Sequence, residues 1–576
     1  MSKPRKTVQS LRSQLWFNAP KSAGDHKRRR IRQAGFTTED FKDKPVIGIL
    51  STWSDFNTCH AHFPQRIEEI KRGIWQAGGF PAVIPLQSVS ESFSRPTAML
   101  YRNFLAMEAE EAIRSHPVDG VVLLGGCDKT TPGLVMGAAS AGVPAIYVPA
   151  GAMLRGHWRG ATLGTGTSTW QAEADYRAGL LTQSEWEDLS QSSVRSTGTC
   201  NTMGTASTMT TLVDVLGLSL PGASSIPAID AEHARMASAA GRRIVEMVWE
   251  DLTPKDIVST ASLRNAVITD MAISGSTNSL IHLVAMAGRL GHDLSLADFG
   301  DASEGIPVVC NLMPAGQYLM EDFHFAGGIR ALLGVIAEHL DLSVMTATGR
   351  TLSEEIAGAK VWNEDIIRPL DKPIYPTGAL VVLKGSLAPR GAVLKRSAAS
   401  PELLRHTGPA VVFKSYKDLH DRIDDPALEI TRDSVLILQN AGPIGAPGMP
   451  EWGMLPIPKR LLAEGVRDMV RISDGRMSGT SFGTCILHVC PESHIGGPLG
   501  LVRDGDLIRL DVDARQLDLL VDPKELEARR AAWQAPKPHY ERGYGALFSR
   551  HVTQADQGCD FDFLADGEAT LDPEVH

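Results

Sequence analysis

From about residue 45 onward, short aliphatic runs alternate with longer stretches whose apolar positions recur every three or four residues. Pro45 to Leu50, Pro81 to Leu86, Gly120 to Leu124 and Ala145 to Val148 read as strands, with Ile67 to Ala77, Thr97 to Ser115 and Leu134 to Ala141 as the helices between them. The strand runs have no polar face. A strand covered by helices on both sides requires that, so the pattern predicts a parallel sheet of βαβ units. Helical spacing dominates from Thr202 to Leu340, most clearly over Ala231 to Glu250 and Ser279 to Leu290. After Pro373 and Pro376 the texture changes, and short runs at Ala379 to Leu383, Ala410 to Phe413 and Val435 to Leu438 are cut by Gly and Pro. Ile508, Leu510 and Val512, then Leu517, Leu519 and Val521, alternate at period two about an Asp-Ala-Arg-Gln turn, which marks a hairpin. The expected fold class is α/β: an α/β/α domain with a mainly parallel sheet over residues 1–375, then a β-rich, barrel-like domain with a C-terminal tail over 376–576.

Composition narrows the function classes. The 576 residues are 43% hydrophobic and 22% charged, ordinary for a globular protein with sizeable cores. A net charge of −10 argues against nucleic acid or an anionic membrane surface as the main partner, and no apolar run approaches the ~20 residues of a membrane span. Lys3, Arg5, Lys6 and the run Lys27 to Arg30 have no apolar stretch behind them. They are expected to form a solvated basic arm rather than a secretory signal, with an organellar transit peptide as the alternative. Seven cysteines, an odd and sparse set, point to a reducing, cytoplasmic setting rather than a disulfide framework.

The chemistry gathers after the strands. The first runs into Thr52-Trp-Ser-Asp-Phe-Asn-Thr-Cys59-His60-Ala-His62, the second into Ser88-Val-Ser-Glu91-Ser-Phe-Ser-Arg95, and the third into Gly125-Gly-Cys127-Asp128-Lys129-Thr-Thr-Pro132. Ligands of parallel α/β sheets bind beyond the carboxyl ends of the strands, so these loops are expected to converge. A further thiol lies in Ser196-Thr-Gly-Thr-Cys200-Asn-Thr-Met-Gly, a small-residue loop opening onto a helix, whose N-terminus favours a thiolate. Each cysteine alone reads as a buried small hydrophobe. Together, in polar loops beside charged residues, Cys59, Cys127 and Cys200 read as metal ligands, whereas Cys310, Cys485 and Cys490 sit in apolar runs and Cys559 in the terminal tail. Their wide separation does not match the close pairs of structural zinc sites, and soft thiolates also suit iron–sulfur clusters. Glu91 and Asp128 are hard oxygen donors appropriate to magnesium; the lesser alternative, for Asp128–Lys129 taken alone, is a surface pair. Two Gly-rich segments, 442–451 and 473–481, allow backbone to approach a ligand closely, or are ordinary turns; neither is a Walker loop or a dinucleotide fingerprint.

Taken together, Cys59-His-Ala-His, Gly-Gly-Cys127-Asp-Lys-Thr-Thr-Pro, Thr-Gly-Thr-Cys200-Asn-Thr-Met-Gly, Gly275-Ser-Thr-Asn-Ser, Gly-Ala-Pro-Gly-Met-Pro-Glu451 and Ser473-Asp-Gly-Arg-Met-Ser478-Gly-Thr480 resemble the dihydroxy-acid/phosphogluconate dehydratase family, which includes the sugar-acid dehydratases. The similarity runs from about residue 10 to 550. It implies an α/β/α domain followed by a β-barrel domain, and a homodimer or homotetramer. It also implies that Cys59, Cys127 and Cys200 hold an iron–sulfur cluster, of the 2Fe–2S type with 4Fe–4S as second choice, and that Glu91, Asp128, Glu451 and a carbamylated Lys129 surround Mg2+. Ser478 matches the family's base, with Thr480 beside it. The Cys-His-Ala-His motif and the segment Glu91 to Asn103 resemble the pentonate and hexonate branch more than the branched-chain one.

The reaction implied is dehydration of a 2,3-dihydroxy carboxylate to a 2-keto-3-deoxy acid. Magnesium would acidify the C2 proton, Ser478 as alkoxide would take it, and iron would assist departure of the C3 hydroxyl. His60 and His62 are either substrate- or cluster-orienting or simply structural, and Arg95 and Lys395 are candidate contacts for substrate oxygens. The alternatives are a branched-chain dihydroxy-acid dehydratase, a non-catalytic iron–sulfur redox protein and a zinc-stabilised binding module.

Overall fold

The computed structural model describes residues 3–19, 22–451 and 453–564. Four strands, β1 (Val46–Ser51), β2 (Phe80–Pro85), β3 (Gly120–Gly125) and β4 (Ala145–Pro149), form a sheet in the order β2-β1-β3-β4 with every pairing parallel. The expected strands are all present, with ends displaced by a residue or so. Every residue of β1, β3 and β4 is buried, as continuous apolar runs demand. On one face helix Phe63–Gln76 crosses helix Ala231–Glu250 so closely that a Cβ at Gly73 would lie 2.0 Å from the Ser238 carbonyl oxygen. Helix Arg102–Ser115 packs against helix Thr130–Ala141. A short hairpin, β5 (Gly156–Trp158) and β6 (Ala161–Leu163), lies outside the main sheet; three residues per strand are too few to register as a periodic pattern.

The second sheet has eight strands: β7 (Leu380–Leu383), β8 (Gly391–Lys395), β9 (Arg405–Phe413), β10 (Val435–Leu438), β11 (Arg471–Ser473), β12 (Cys485–Cys490), β13 (Leu507–Asp511) and β14 (Gln516–Leu519). They are ordered β14-β13-β9-β10-β11-β12-β8-β7, parallel from β9 to β12 and antiparallel elsewhere. The edges meet. Lys384, just past β7, donates its amide to the Arg515 carbonyl and accepts from Leu517, both at 2.9 Å, which nearly closes a barrel. Along β10, Val435 and Ile437 join the interior cluster while Leu436 and Leu438 face an outer one that also takes in Leu419 and Leu461 from covering helices. The predicted hairpin is β13–β14, with Asp511 opposite Gln516.

The chain does not trail away after the barrel. Helix Gly543–His551 and the turn following it return to the first domain, where Phe548, Cys559 and Phe561 pack with Met99, Leu100 and Ile281. Cys559 is therefore buried, unlike the free tail expected. Two buried cations tie the return down: Arg102 donates to the carbonyls of Gly558 (2.9 Å) and Cys559 (2.8 Å), and Arg289 pairs with Asp560 at 2.5 Å.

Candidate active site

Because β1, β2 and β3 run parallel, their following loops leave from one edge of the sheet. Cys59 lies in the turn Thr58–His60 that leads to helix Phe63–Gln76, and Cys127 lies just ahead of helix Thr130–Ala141. The two thiols interact directly. Hydrogen bonding to Cys127, then burial, then the nearness of Cys127, Cys200 and Asp128, holds the Cys59 thiol far above its ordinary range. Burial, Asp128 and Cys127 push Cys200 up to about 12 against a lowering contact from Thr165. The three expected ligands thus lie near enough to influence one another, and none of the seven cysteines is in a disulfide. Neighbouring thiols that oppose the ionisation of Cys59 and Cys200 leave these as stable thiolates only around a positive centre, which is the donor chemistry an iron–sulfur cluster or a soft metal needs. Among the described residues, no three His, Cys, Asp or Glu side chains stand at the mutual spacing of a formed metal site.

His60 pins these loops. Its Nδ1 lies 2.8 Å from the Thr52 carbonyl and its Nε2 accepts the Cys127 amide at 3.0 Å, which fixes the Nδ1–H tautomer and ties the first loop to the third. Burial lowers it to about 3, so it is neutral. His62 turns its Nε2 to the Ala150 carbonyl at 2.8 Å. Both rings are thus committed to backbone partners.

Beside the thiols, Lys129 is fully buried with its Nζ 3.2 Å from Asp128, 3.3 Å from Glu451 and 3.5 Å from Glu91. Glu451 comes from the second domain, where Arg476 reaches it at 3.1 Å. Burial and Arg476 oppose the Lys129 charge, but the three carboxylates outweigh them and raise its pKa. Glu91 accepts from the Thr97 hydroxyl at 2.6 Å, and despite burial Lys129 and Arg476 hold it below the usual carboxylate range. Glu451 is pushed up to about 7, chiefly by burial, with Asp128 and Glu91 adding to the shift. Carbamylation of Lys129 would set four carboxylate-type groups against Arg476 alone, an excess of negative charge that a hard divalent cation would offset. Oε2 of Glu91 is buried with no hydrogen bond, facing only the Lys129 ammonium at 3.5 Å, and becomes available to such an ion once that ammonium is neutralised. The residues present therefore fit magnesium.

Ser478 is brought to this nest by backbone zipping. Arg476 Nε donates to the Met449 carbonyl (3.0 Å), residues 451 and 476 form a parallel bridge, and the Ser478 amide donates to the Gly453 carbonyl at 2.9 Å. From the other side Thr480 packs on the loop after Cys200, where a Cβ at Gly204 would come within 2.8 Å of its methyl. Ser478 Oγ and Thr480 Oγ1 are 2.8 Å apart. The candidate base thus sits where the segment after Glu451 meets the loop after Cys200, partly open where its neighbours are buried.

The other candidates fare differently. Lys395 lines the small cavity that also touches Ser478, but its Nζ donates to the Ser274 carbonyl at 2.7 Å; burial lowers it to about 8 against the pull of Asp270. Arg95 is exposed and donates to the Glu91 carbonyl at 3.1 Å. Cys310, Cys485 and Cys490 are core residues. Some contributors escaped the sequence reading. Arg476 and Asp474 lay inside a noted motif with no role attached. Glu492 accepts from the amides of Ile444 (3.1 Å) and Gly445 (2.8 Å) and so fixes the loop that carries Glu451. An acid directly after a buried strand and a proline, with no basic neighbour, was the available signal.

Comparison with known proteins agrees with this layout. Residues 44–355 match the dihydroxy-acid/6-phosphogluconate dehydratase N-terminal domain and residues 365–559 its C-terminal domain. The chain is 53% identical to a 6-deoxy-6-sulfo-D-gluconate dehydratase of Pseudomonas putida over 100% of both chains, and 47% identical to an L-arabinonate dehydratase of Rhizobium leguminosarum over 98% of both. It is 38% identical to a dihydroxy-acid dehydratase of Caldanaerobacter subterraneus over 92% of this chain and 95% of that one. With both domains matched and relatives similar along their whole length, the chain belongs to the dihydroxy-acid/6-phosphogluconate dehydratase family.

Proposed function

We propose that this protein dehydrates a sugar acid to its 2-keto-3-deoxy acid, using an iron–sulfur cluster and magnesium. The observation that carries the reading is the meeting of three thiols, three carboxylates about Lys129, and Ser478 at one junction of the two domains. Cys59, Cys127 and Cys200 would hold the cluster, and Glu91, Asp128, Glu451 and a carbamylated Lys129 the magnesium. When bound, the two centres supply Lewis acidity at the substrate's oxygens.

The chain's own residues handle the proton. Ser478 Oγ takes it from C2, the C3 hydroxyl leaves as water with that proton returned from Ser478, which restores the base, and the enol tautomerises to the ketone. An unaided serine is far too weak a base for this, and Ser478 is helped by the Thr480 amide, which donates to its Oγ at 3.3 Å. Arg476 and the buried surroundings keep the carboxylates in place and restrict water.

Support for a sugar acid over a branched-chain dihydroxy acid comes from three relatives named for sugar acids at 46–53% identity, above the dihydroxy-acid dehydratases at 37–38%, where a D-xylonate dehydratase also stands at 37%. A purely electron-transferring iron–sulfur protein has no need of the carboxylates about Lys129. The homodimer or homotetramer implied by the resemblance is part of the same proposal and is measured by light scattering. The functional test is an anaerobic assay with magnesium across C4–C6 aldonates, a 6-sulfonated hexonate and dihydroxyisovalerate. A 2-keto-3-deoxy product from an aldonate is the expected result; turnover of dihydroxyisovalerate alone would overturn the sugar-acid assignment.

A further inference from the structure

Trp170 lies in helix Thr167–Arg177, outside every motif noted above, yet its indole N–H donates to Thr480 Oγ1 at 3.0 Å. An indole nitrogen can only donate. Thr480 is buried, and Ser478 Oγ, 2.8 Å away, is the remaining hydroxyl partner of Thr480 Oγ1 among the described residues. Once Ser478 has lost its proton it can only accept, so the contact must then run from the Thr480 hydroxyl to Ser478 Oγ, alongside the Thr480 amide at 3.3 Å. A donor into Thr480 Oγ1 polarises that hydroxyl and strengthens the bond it gives.

The surroundings hold the arrangement in register. Gly166, at φ +77°, lets the helix start so close to Thr480 that a Cβ there would fall 2.1 Å from Oγ1. Gly453, at φ +69°, leaves room for the indole edge, which a Cβ would approach to 2.6 Å, and its carbonyl accepts the Ser478 amide. Another side of the ring borders a cavity of about 370 Å³, so packing alone does not fix the indole.

We infer that Trp170 is a positioning residue for the base: its N–H orients the Thr480 hydroxyl as a second donor to the Ser478 alkoxide. This rests on Ser478 being the base, as set out under Proposed function. The indole N–H bonds to Thr480 Oγ1 and to none of the thiols or carboxylates, so its loss is expected to weaken the alkoxide and to leave binding unchanged.

The test compares Trp170→Phe, which keeps an aromatic ring without the N–H, with wild-type holoenzyme across pH. A second variant, with benzothienylalanine at position 170, preserves the ring's outline if Phe packs poorly. Losing a donor raises the pKa of the base, and kcat depends on its ionised form. The acid limb of the kcat profile is therefore expected to move up by about one pH unit, with kcat below the limb down about tenfold and KM within about twofold. Iron content, visible absorbance and calorimetric binding of a 2-hydroxy acid lacking the C3 hydroxyl should match wild type. The charged side chains nearby, Lys395 in the cavity at Ser478, Arg476 two residues before it, and Glu173, Asp175, Arg177 and Arg467 around the cavity beside the indole, are unchanged in either variant. An unmoved acid limb, or a loss shared between KM and iron content, would overturn the role of Trp170. Ser478→Ala, run in parallel, separates the two layers: normal turnover in that variant removes the base itself, whereas an inactive Ser478→Ala with an unmoved Trp170→Phe profile removes only the inference.

Discussion

On the proposed mechanism Ser478 and the three cysteines carry distinct burdens, and their substitutions should separate. Ser478→Ala is expected to keep cluster absorbance and iron while kcat falls by about 10²–10⁴-fold, the usual worth of a general base. Cys59→Ser, Cys127→Ser and Cys200→Ser should each lose visible absorbance and iron together, since the three thiols lie near enough to influence one another. A variant with an unchanged spectrum removes that cysteine from the ligand set. The thiols were legible because Cys59 and Cys127 sit in polar loops after parallel strands, whose carboxyl ends collect ligands, and Cys200 in a small-residue loop opening onto a helix. The roles of the histidines were not legible. His60 clamps the Cys127 amide to the Thr52 carbonyl, a contact that no spacing along the chain reveals.

At the scale of elements, the loop 442–451 owes its placement to a buried acid. Burial, with Asp474 adding, raises Glu492 to about 7, well above an ordinary glutamate. A carboxyl whose folded pKa is raised costs nothing while both states are protonated, and it destabilises the fold as pH climbs from the unfolded value toward the folded one. Between about pH 4.5 and pH 7 this group is expected to remove up to about 3 kcal/mol. Glu492→Gln, which cannot ionise, should flatten that part of the stability profile in urea titrations at several pH values; an unaltered slope would show that Glu492 is not the titrating group. The C-terminal return is the other element-level device. Asp560→Ala leaves Arg289 buried with only Glu110 (3.7 Å) and Ser140 (2.9 Å), and should cost about 3 kcal/mol of unfolding free energy. A change under about 0.5 kcal/mol in the urea midpoint analysis would mean that the return does not depend on this pair. The return was hidden in the sequence because its anchors, Arg102 and Arg289, sit in helices whose other positions explain the periodicity without them.

For the whole molecule, apolar runs and a change of texture near residue 375 were enough to separate a parallel sheet from a barrel-like one. The way the two meet was not legible in the same manner. Glu451 and Ser478 reach the thiol loops through backbone bridges at 451, 453 and 476 and through glycines at 166 and 204 that bring chains within touching distance, and hydrophobic periodicity is blind to both. The domains meet at the candidate site as well as at the C-terminal return, so on the proposed mechanism the chemistry depends on their contact. The most direct measurement is electron paramagnetic resonance of the reduced cluster in anaerobic Ser478→Ala protein, with an aldonate that this variant cannot turn over, in the presence and absence of magnesium. The spectrum should shift only when acid and magnesium are both present. A spectrum indifferent to the acid under every condition would mean that the thiols and the carboxylates do not serve the same molecule.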